Sequence, residues 1–203
     1  MQCGLGADEA QFLSMGANIK QRPSAFEESL DAIRRLSAGE TVTSQGRFTF
    51  ENARVAPRPV EPLEVWIGAS AEPAIDRAAR LGDGWLASPS LTLDEARTQA
   101  ALYTQRCTVS KRTPTAVAIR RDIYVADSKA DAEATLKAAI AAGYRGFDST
   151  ALVSGTTDEV ARSFGDLAAM GYTDVIVRHL TNDQPKVLAS LARLKEVRKA
   201  VAQ

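Results

Sequence analysis

The sequence predicts an α/β protein built on a parallel sheet with crossover helices, and three features of its 203 residues carry that expectation. Glu64 to Leu86, EVWIGASAEPAIDRAARLGDGWL, reads as strand, glycine turn, helix, glycine turn and strand. Strand-like and helix-like stretches then alternate to the C-terminus, the pattern of parallel strands joined by helical crossovers. Near the end, Val175, Ile176 and Val177 form the continuous apolar run that a buried parallel strand presents.

Met1 to Gly6 reads as the end of a strand, and Asp8 to Met15 as a short helix stopped by Gly16. From Pro23 to Leu36, Phe26, Leu30, Ile33 and Leu36 recur at helical spacing, with Pro23 suited to the first turn and Gly39 to the position after the end. Thr41 to Val60 changes period. Val42, Phe48 and Phe50 alternate with polar neighbours about Gln45-Gly46, which predicts a small hairpin, and Pro57, Pro59 and Pro62 predict an extended connection.

Beyond the central unit, Thr92-x-x-Glu95 is a capping box opening a helix over Thr92 to Tyr103. Thr115 to Val125, TAVAIRRDIYV, is a long strand; Arg120 and Arg121 interrupt it, and at least one of them must face solvent or an acidic partner. Ser128 to Ala142 is an alanine-rich helix closed by Gly143, whereas Tyr144 to Ser154 has no clear period and reads as a loop. A second capping box, Thr156-x-x-Glu159, starts a helix with Val160, Phe164, Leu167 and Met170 on its apolar face. Asp174 to Leu180 is the last strand. Lys186 to Val201 is the closing helix, with Val187, Leu191, Leu194, Val197 and Val201 on one stripe.

Composition narrows the function. Lys+Arg and Asp+Glu are both 25, so no net field draws the chain to nucleic acid or to an anionic membrane. No apolar run reaches the length of a membrane span. Cys3 and Cys107 lie far apart without metal-site spacing, so a reduced, cytoplasmic protein with no metal site is the simplest reading. His179 is the single histidine, and any His-based metal site or Ser/His triad must use it or be absent. No linker divides the chain, so residues 1–203 are expected to form one domain.

The candidate site lies in the central unit. A glycine just past a strand, Gly68, lets backbone approach a ligand, and the free amides of a helix capped by Ser70 favour an anion such as phosphate. The same turn also serves as an ordinary strand-to-helix junction with no ligand. Arg178 and His179 end the last strand, where alternation sends one towards the helices and the other to the opposite face, and a cation there can pair with phosphate or with an anionic cofactor tail. No catalytic acid or base stands out.

In chain order, CGLG, GRFTFENARVAPRPV, VWIGAS, RAARLGDGWL, VSGTTDEVARSF and YTDVIVRHL resemble the luciferase-like monooxygenase family over essentially the whole chain. The resemblance implies a (β/α)8 barrel that binds FMN, or alternatively the deazaflavin F420, at its C-terminal mouth. Of that barrel the chain is expected to be a partial, C-terminal half carrying a small hairpin insertion, because it opens at what resembles the end of the fourth strand and lacks the first three. The resemblance further implies that Gly68, Ala69 and Ser70 cradle the cofactor phosphate, that Gly4 and Leu5 approach the cofactor from the fourth strand, and that Arg178 contributes a cation.

The implied function is an FMN-dependent oxidoreductase or monooxygenase acting on a small organic substrate, with F420 and hydride transfer as the alternative cofactor chemistry. An incomplete barrel leaves strand edges unpaired, so a homo-oligomer is expected. A non-catalytic half-barrel that serves as an assembly partner is the rival reading.

Overall fold

The computed structural model describes residues 1–4 and 8–201, which fall into two compact units, residues 1–65 and residues 66 onward.

The first unit holds β1 (Gln2–Gly4), α1 (Glu9–Ser14), α2 (Arg22–Ser37) and an antiparallel hairpin of β2 (Val42–Gln45) and β3 (Thr49–Ala53). Asp8 caps α1 by accepting from the amides of Ala10 and Gln11 at 2.9 and 3.2 Å. Gly39 follows α2 at φ +84°, the left-handed conformation that a helix end asks of glycine. The hairpin is fastened to α2 from its tip, where Arg47 lies 3.9 Å from Glu28 and donates to the Gln21 side chain at 3.0 Å.

The second unit alternates strand and helix. It runs β4 (Trp66–Gly68), α3 (Glu72–Leu81), β5 (Gly84–Ala87), α4 (Leu93–Val109), β6 (Ala116–Val125), α5 (Lys129–Ala141), β7 (Val153–Gly155), α6 (Thr157–Ala169), β8 (Asp174–His179) and α7 (Gln184–Val201). All of these strand pairs are parallel: β4 with β5, β5 with β6, β6 with β7 and β6 with β8. Ile119 pairs with Ala87 on one side and Val175 on the other, and Ile123 with Val153 and His179, so β5 and β7 share one edge of the long β6 while β8 takes the other. The order β4, β5, β6, β8 follows the chain, while the short β7 turns back to the β5 side of β6 before β8 takes the other.

Alternation separates two faces. Ile67, Trp85, Ile119, Ile123 and Val125 are buried on the helix-facing side, where Ile123 and Val125 pack with Val160 of α6 and Val197 of α7. Trp66, Leu86, Ala118, Arg120, Asp122, Ile176 and Arg178 share the other face by register. The turns that follow parallel strands lie at one end of the sheet, so the segments after β4, β5, β6 and β8 share an end.

Three differences from the sequence reading have physical reasons. The stretch read as a loop with room for one helical turn, Tyr144 to Ser154, holds two short 3-10 turns and runs into β7, because backbone pairing with Ile123–Val125 makes a strand of three residues too few to show a period. The stripe of α7 turns by one residue: Leu191 is exposed and Ser190 is buried, since the Ser190 hydroxyl accepts from the Val125 amide at 2.9 Å. And β8 is half-buried rather than buried, because Val175 and Val177 line an open groove of about 420 Å³ with Phe164, Leu194 and Val197.

Candidate functional site

The segment after β4 is clamped. Trp85, fully buried on the helix-facing side, stacks on Tyr103 of α4 at 4.9 Å and lies 6.0 Å from the ring of Tyr172. Its indole Nε1 donates to the Ala69 carbonyl at 2.9 Å, while the Ala69 amide donates to the Leu86 carbonyl at 3.3 Å. Both backbone groups of Ala69 are therefore committed within the fold. Any anion held at this turn must take the amides that come after it, or the hydroxyl of the exposed Ser70.

Ser70 does not cap α3. The helix begins at Glu72 with Ala71 at the N-cap and Pro73 in the first turn. Had Ser70 capped, Pro73 would stand at the third helical position, where the cap oxygen usually finds its amide donor and proline has none. The consequence favours a ligand, because α3 starts with no side chain on its amides. The other helices of this unit are served: Thr92 and Thr156 make capping boxes with Glu95 and Glu159, Ser128 accepts from the Asp131 amide, and Asp183 accepts from the Lys186 amide. Glu72, the acidic residue of the first turn of α3, is held by Arg106 of α4 at 2.6 Å.

Neighbouring turns are held as firmly. Arg121, 1% exposed on the helix-facing side of β6, donates from Nη1 to the Leu91 carbonyl at 2.6 Å, and so braces the connection after β5; burial pulls its guanidinium below the ordinary value. Arg112 braces the turn before β5 by donating to the Gly82 carbonyl at 2.8 Å and meeting Asp83 at 3.2 Å.

On the opposite face of the sheet is a polar cluster. The side chain of Asp122 is fully buried there, accepting from Arg120 Nε at 3.0 Å and from the Tyr144 hydroxyl at 2.8 Å. Burial first, and then the Asp122 carboxylate, hold the Tyr144 hydroxyl above its ordinary value. Arg120 thus finds the acidic partner its place in the strand demanded, while Arg121 gives Nη1 to backbone carbonyls and leaves its buried Nη2 unpartnered. Asp122 and Tyr144 escaped the sequence reading. The alternation Ala118, Arg120, Asp122, Tyr124 within TAVAIRRDIYV signals the polar face, but nothing in the sequence brings Tyr144 to it.

Of the expected site residues, Gly68, Ala69 and Ser70 are contiguous at the end of β4, and Arg178 stands beside Asp122 in the register of β8. Arg178 does not converge on the Gly68 turn. Gly68 is level with Leu86 and Ala118, four residues short of Asp122, so Arg178 lies about 13 Å further along the strands and up to about 14 Å across them. His179 goes to the helix-facing side, where burial pulls its imidazole below the ordinary value. Gly4 ends β1 in the first unit, and Leu5 lies outside the described residues. Among the described residues no group of three or more His, Cys, Asp or Glu is placed to hold a metal ion, and no helix is long and apolar enough to cross a membrane.

The sequence profile of the luciferase-like monooxygenase family matches residues 1–169. Over 80 residues the chain is 35% identical to an F420-dependent glucose-6-phosphate dehydrogenase of Nakamurella multipartita, covering 37% of this chain and 24% of that protein. It is 28% identical over 120 residues to an F420-dependent hydroxymycolic acid dehydrogenase of Mycobacterium tuberculosis, covering 58% of this chain and 33% of that one. The matches thus span between a quarter and a third of the length of these curated relatives. Among solved structures, an F420-dependent secondary alcohol dehydrogenase in complex with an F420-acetone adduct superposes with a TM-score of 0.80 at 16% identity, over 99% of this chain and 69% of that one. An FMN complex of a type II Baeyer-Villiger monooxygenase of Pseudomonas putida superposes with a TM-score of 0.76 at 16% identity, over 99% and 70%. Those two likenesses speak for the fold alone. With the profile covering most of its length, the chain belongs to the luciferase-like monooxygenase family.

Proposed function

We propose that this chain carries the cofactor-phosphate end of an F420-dependent oxidoreductase, with its strands forming a segment of a (β/α)8 barrel wall. The observation that supports this reading is the bare N-terminus of α3: it follows a strand ending in glycine, has no capping side chain, and has the acidic Glu72 drawn aside by Arg106. Those features fit a phosphate, which the amides of Ser70, Ala71 and Glu72 and the Ser70 hydroxyl would hold through hydrogen bonds and the helix dipole. F420 supplies hydride transfer when bound. The protein's part is to fix the phosphate and keep water from the reacting face.

F420 stands ahead of FMN, the cofactor first expected, because both curated relatives compared above are named F420-dependent dehydrogenases. FMN keeps a place as a second reading on one observation: the fold is shared with an FMN-bound monooxygenase nearly as closely as with an F420-dependent dehydrogenase. Titration of the purified chain with each cofactor, followed by cofactor fluorescence, separates the two. Saturable F420 binding, tighter than FMN and weakened about tenfold by Ser70→Ala, supports the reading, that factor being one charge-assisted hydrogen bond. Binding of neither cofactor overturns it.

A further inference from the structure

Around Asp122, on the sheet face opposite α6 and α7, cations outnumber anions; Asp174, the other acid that β6 and β8 place on that face, lies four residues back along β8 and accepts from the Thr173 hydroxyl. Asp122 is buried, and its carboxylate is taken by Arg120, with Nε 3.0 Å from Oδ1, and by the Tyr144 hydroxyl, 2.8 Å from Oδ2. Directly across the register sits Arg178, on the same face as Asp122 and near enough for its charge to act on the Tyr144 hydroxyl. Arg178 is exposed and, among the described residues, makes no salt bridge or hydrogen bond. Arg145, the other cation near Tyr144, lies over the Phe147 ring at 5.3 Å. Arg120 and Asp122 cancel, so at this end of the face Arg178 is the surplus charge.

The arrangement around that surplus is rigid. Tyr144 reaches the sheet from the connection between α5 and β7, and its ring packs with Phe147 against Tyr124, Leu152 and Leu180. A guanidinium, a phenol and a second guanidinium fixed by a buried carboxylate therefore face the same side of two neighbouring strands. These are groups that can grip an oxyanion: Arg178 and the Nη groups of Arg120 keep N–H donors, while the Tyr144 hydroxyl and Arg120 Nε are spent on Asp122 and so cover the carboxylate that would repel it. The separation from the Gly68 turn is too large for one phosphate to touch both places, so this anion is not the one held at α3.

We propose that Arg178, framed by Arg120, Asp122 and Tyr144, anchors the anionic group of the substrate, a carboxylate or a phosphate monoester. The word substrate rests on the oxidoreductase reading; the anion subsite stands on its own geometry.

The test uses the whole chain, labelled with 15N, and two probes, benzoate and phenyl phosphate, at low salt. The side-chain Nε–H resonance of Arg178 reports directly. It should shift saturably with one or both probes, and the probe bound more tightly names the group. Read at the Nε–H of Arg120, which Asp122 holds beside Arg178, Arg178→Gln should weaken binding about tenfold or more, the worth of one hydrogen bond to a charged group, with Arg178→Lys restoring part of it. Arg178 is exposed, so these variants leave the fold intact, as circular dichroism will check. Ser70→Ala should leave the probe affinity read at Arg178 unchanged. The two readings separate cleanly: F420 affinity should fall in Ser70→Ala and hold in Arg178→Gln. Absence of any shift at Arg178, equal affinities in wild type and Arg178→Gln, or loss of the Arg178 shift in Ser70→Ala would each overturn the proposal.

Discussion

The indole Nε1 of Trp85 donates to the carbonyl of Ala69 at 2.9 Å, tying the core beneath α4 to the turn that precedes α3. One fully buried side chain thereby sets where the first amides of α3 point. Trp85→Phe keeps an aromatic ring but drops that bond and leaves a void beside Tyr103, and it should cost about 2–4 kcal/mol in urea unfolding. F420 affinity should fall with it. A variant that loses stability but binds F420 as wild type does would uncouple the clamp from the cofactor.

Gly84 has no room for a side chain. A Cβ there would meet Trp66 Cδ1 and the Ala116 carbonyl, each at 2.9 Å. Gly84→Ala should destabilise by about 1–3 kcal/mol, because the Trp66 indole must swing away and the backbone oxygen cannot. Chemical denaturation measures this, and a loss below 0.5 kcal/mol, an order-of-magnitude threshold for a neutral substitution, would show that the indole moves freely.

Alkaline stability should depend on buried phenols. Burial pushes the Tyr172 hydroxyl up to about 12 from an ordinary 10.0, and it raises Tyr103 as well. Because the folded state holds these protons more tightly than the unfolded chain, their contribution is complete below pH 10.0 and is lost as pH rises towards about 12. Unfolding followed by tyrosinate absorbance should begin in that window. Tyr172→Phe should soften the alkaline limb while costing about 1 kcal/mol at neutral pH, the worth of its bond to the Ala96 carbonyl at 2.9 Å.

The acid limb should involve Asp131. Hydrogen bonds from the Tyr124 hydroxyl at 2.7 Å and Lys186 Nζ at 2.9 Å hold its carboxyl below the ordinary range. A depressed carboxylate lends stability above its unfolded pKa and loses it as pH falls through the folded value. Asp131→Asn should therefore destabilise at neutral pH and flatten the decline on acidification. Equal acid slopes for the variant and the wild type would contradict this.

The elements that carry strong local chemistry were legible in the sequence. Capping boxes at Thr92 and Thr156, the glycine stops at Gly39 and Gly143, and the strand–turn–helix of Glu64 to Leu86 all appear where their residues point. What was illegible depends on tertiary partners. β7 exists through pairing with Ile123–Val125, and Ser190 turns inward to serve the Val125 amide. The turn after β4 was found, yet its details were not: Pro73 moves the cap from Ser70 to Ala71, and Trp85 takes the Ala69 carbonyl from 16 residues away. The Asp122–Tyr144 bond joins residues 22 apart across an irregular stretch, so no local pattern announces it.

A 15N amide titration of the chain with F420 reports on the anion site at α3 residue by residue. If the bare end of α3 holds the cofactor phosphate, the Ser70, Ala71 and Glu72 amides should move downfield together and saturate, while Thr157 and Asp158, at the capped start of α6, stay in place. Shifts that leave Ser70 to Glu72 unmoved, whether they gather at α6 or nowhere, would contradict a phosphate site at α3.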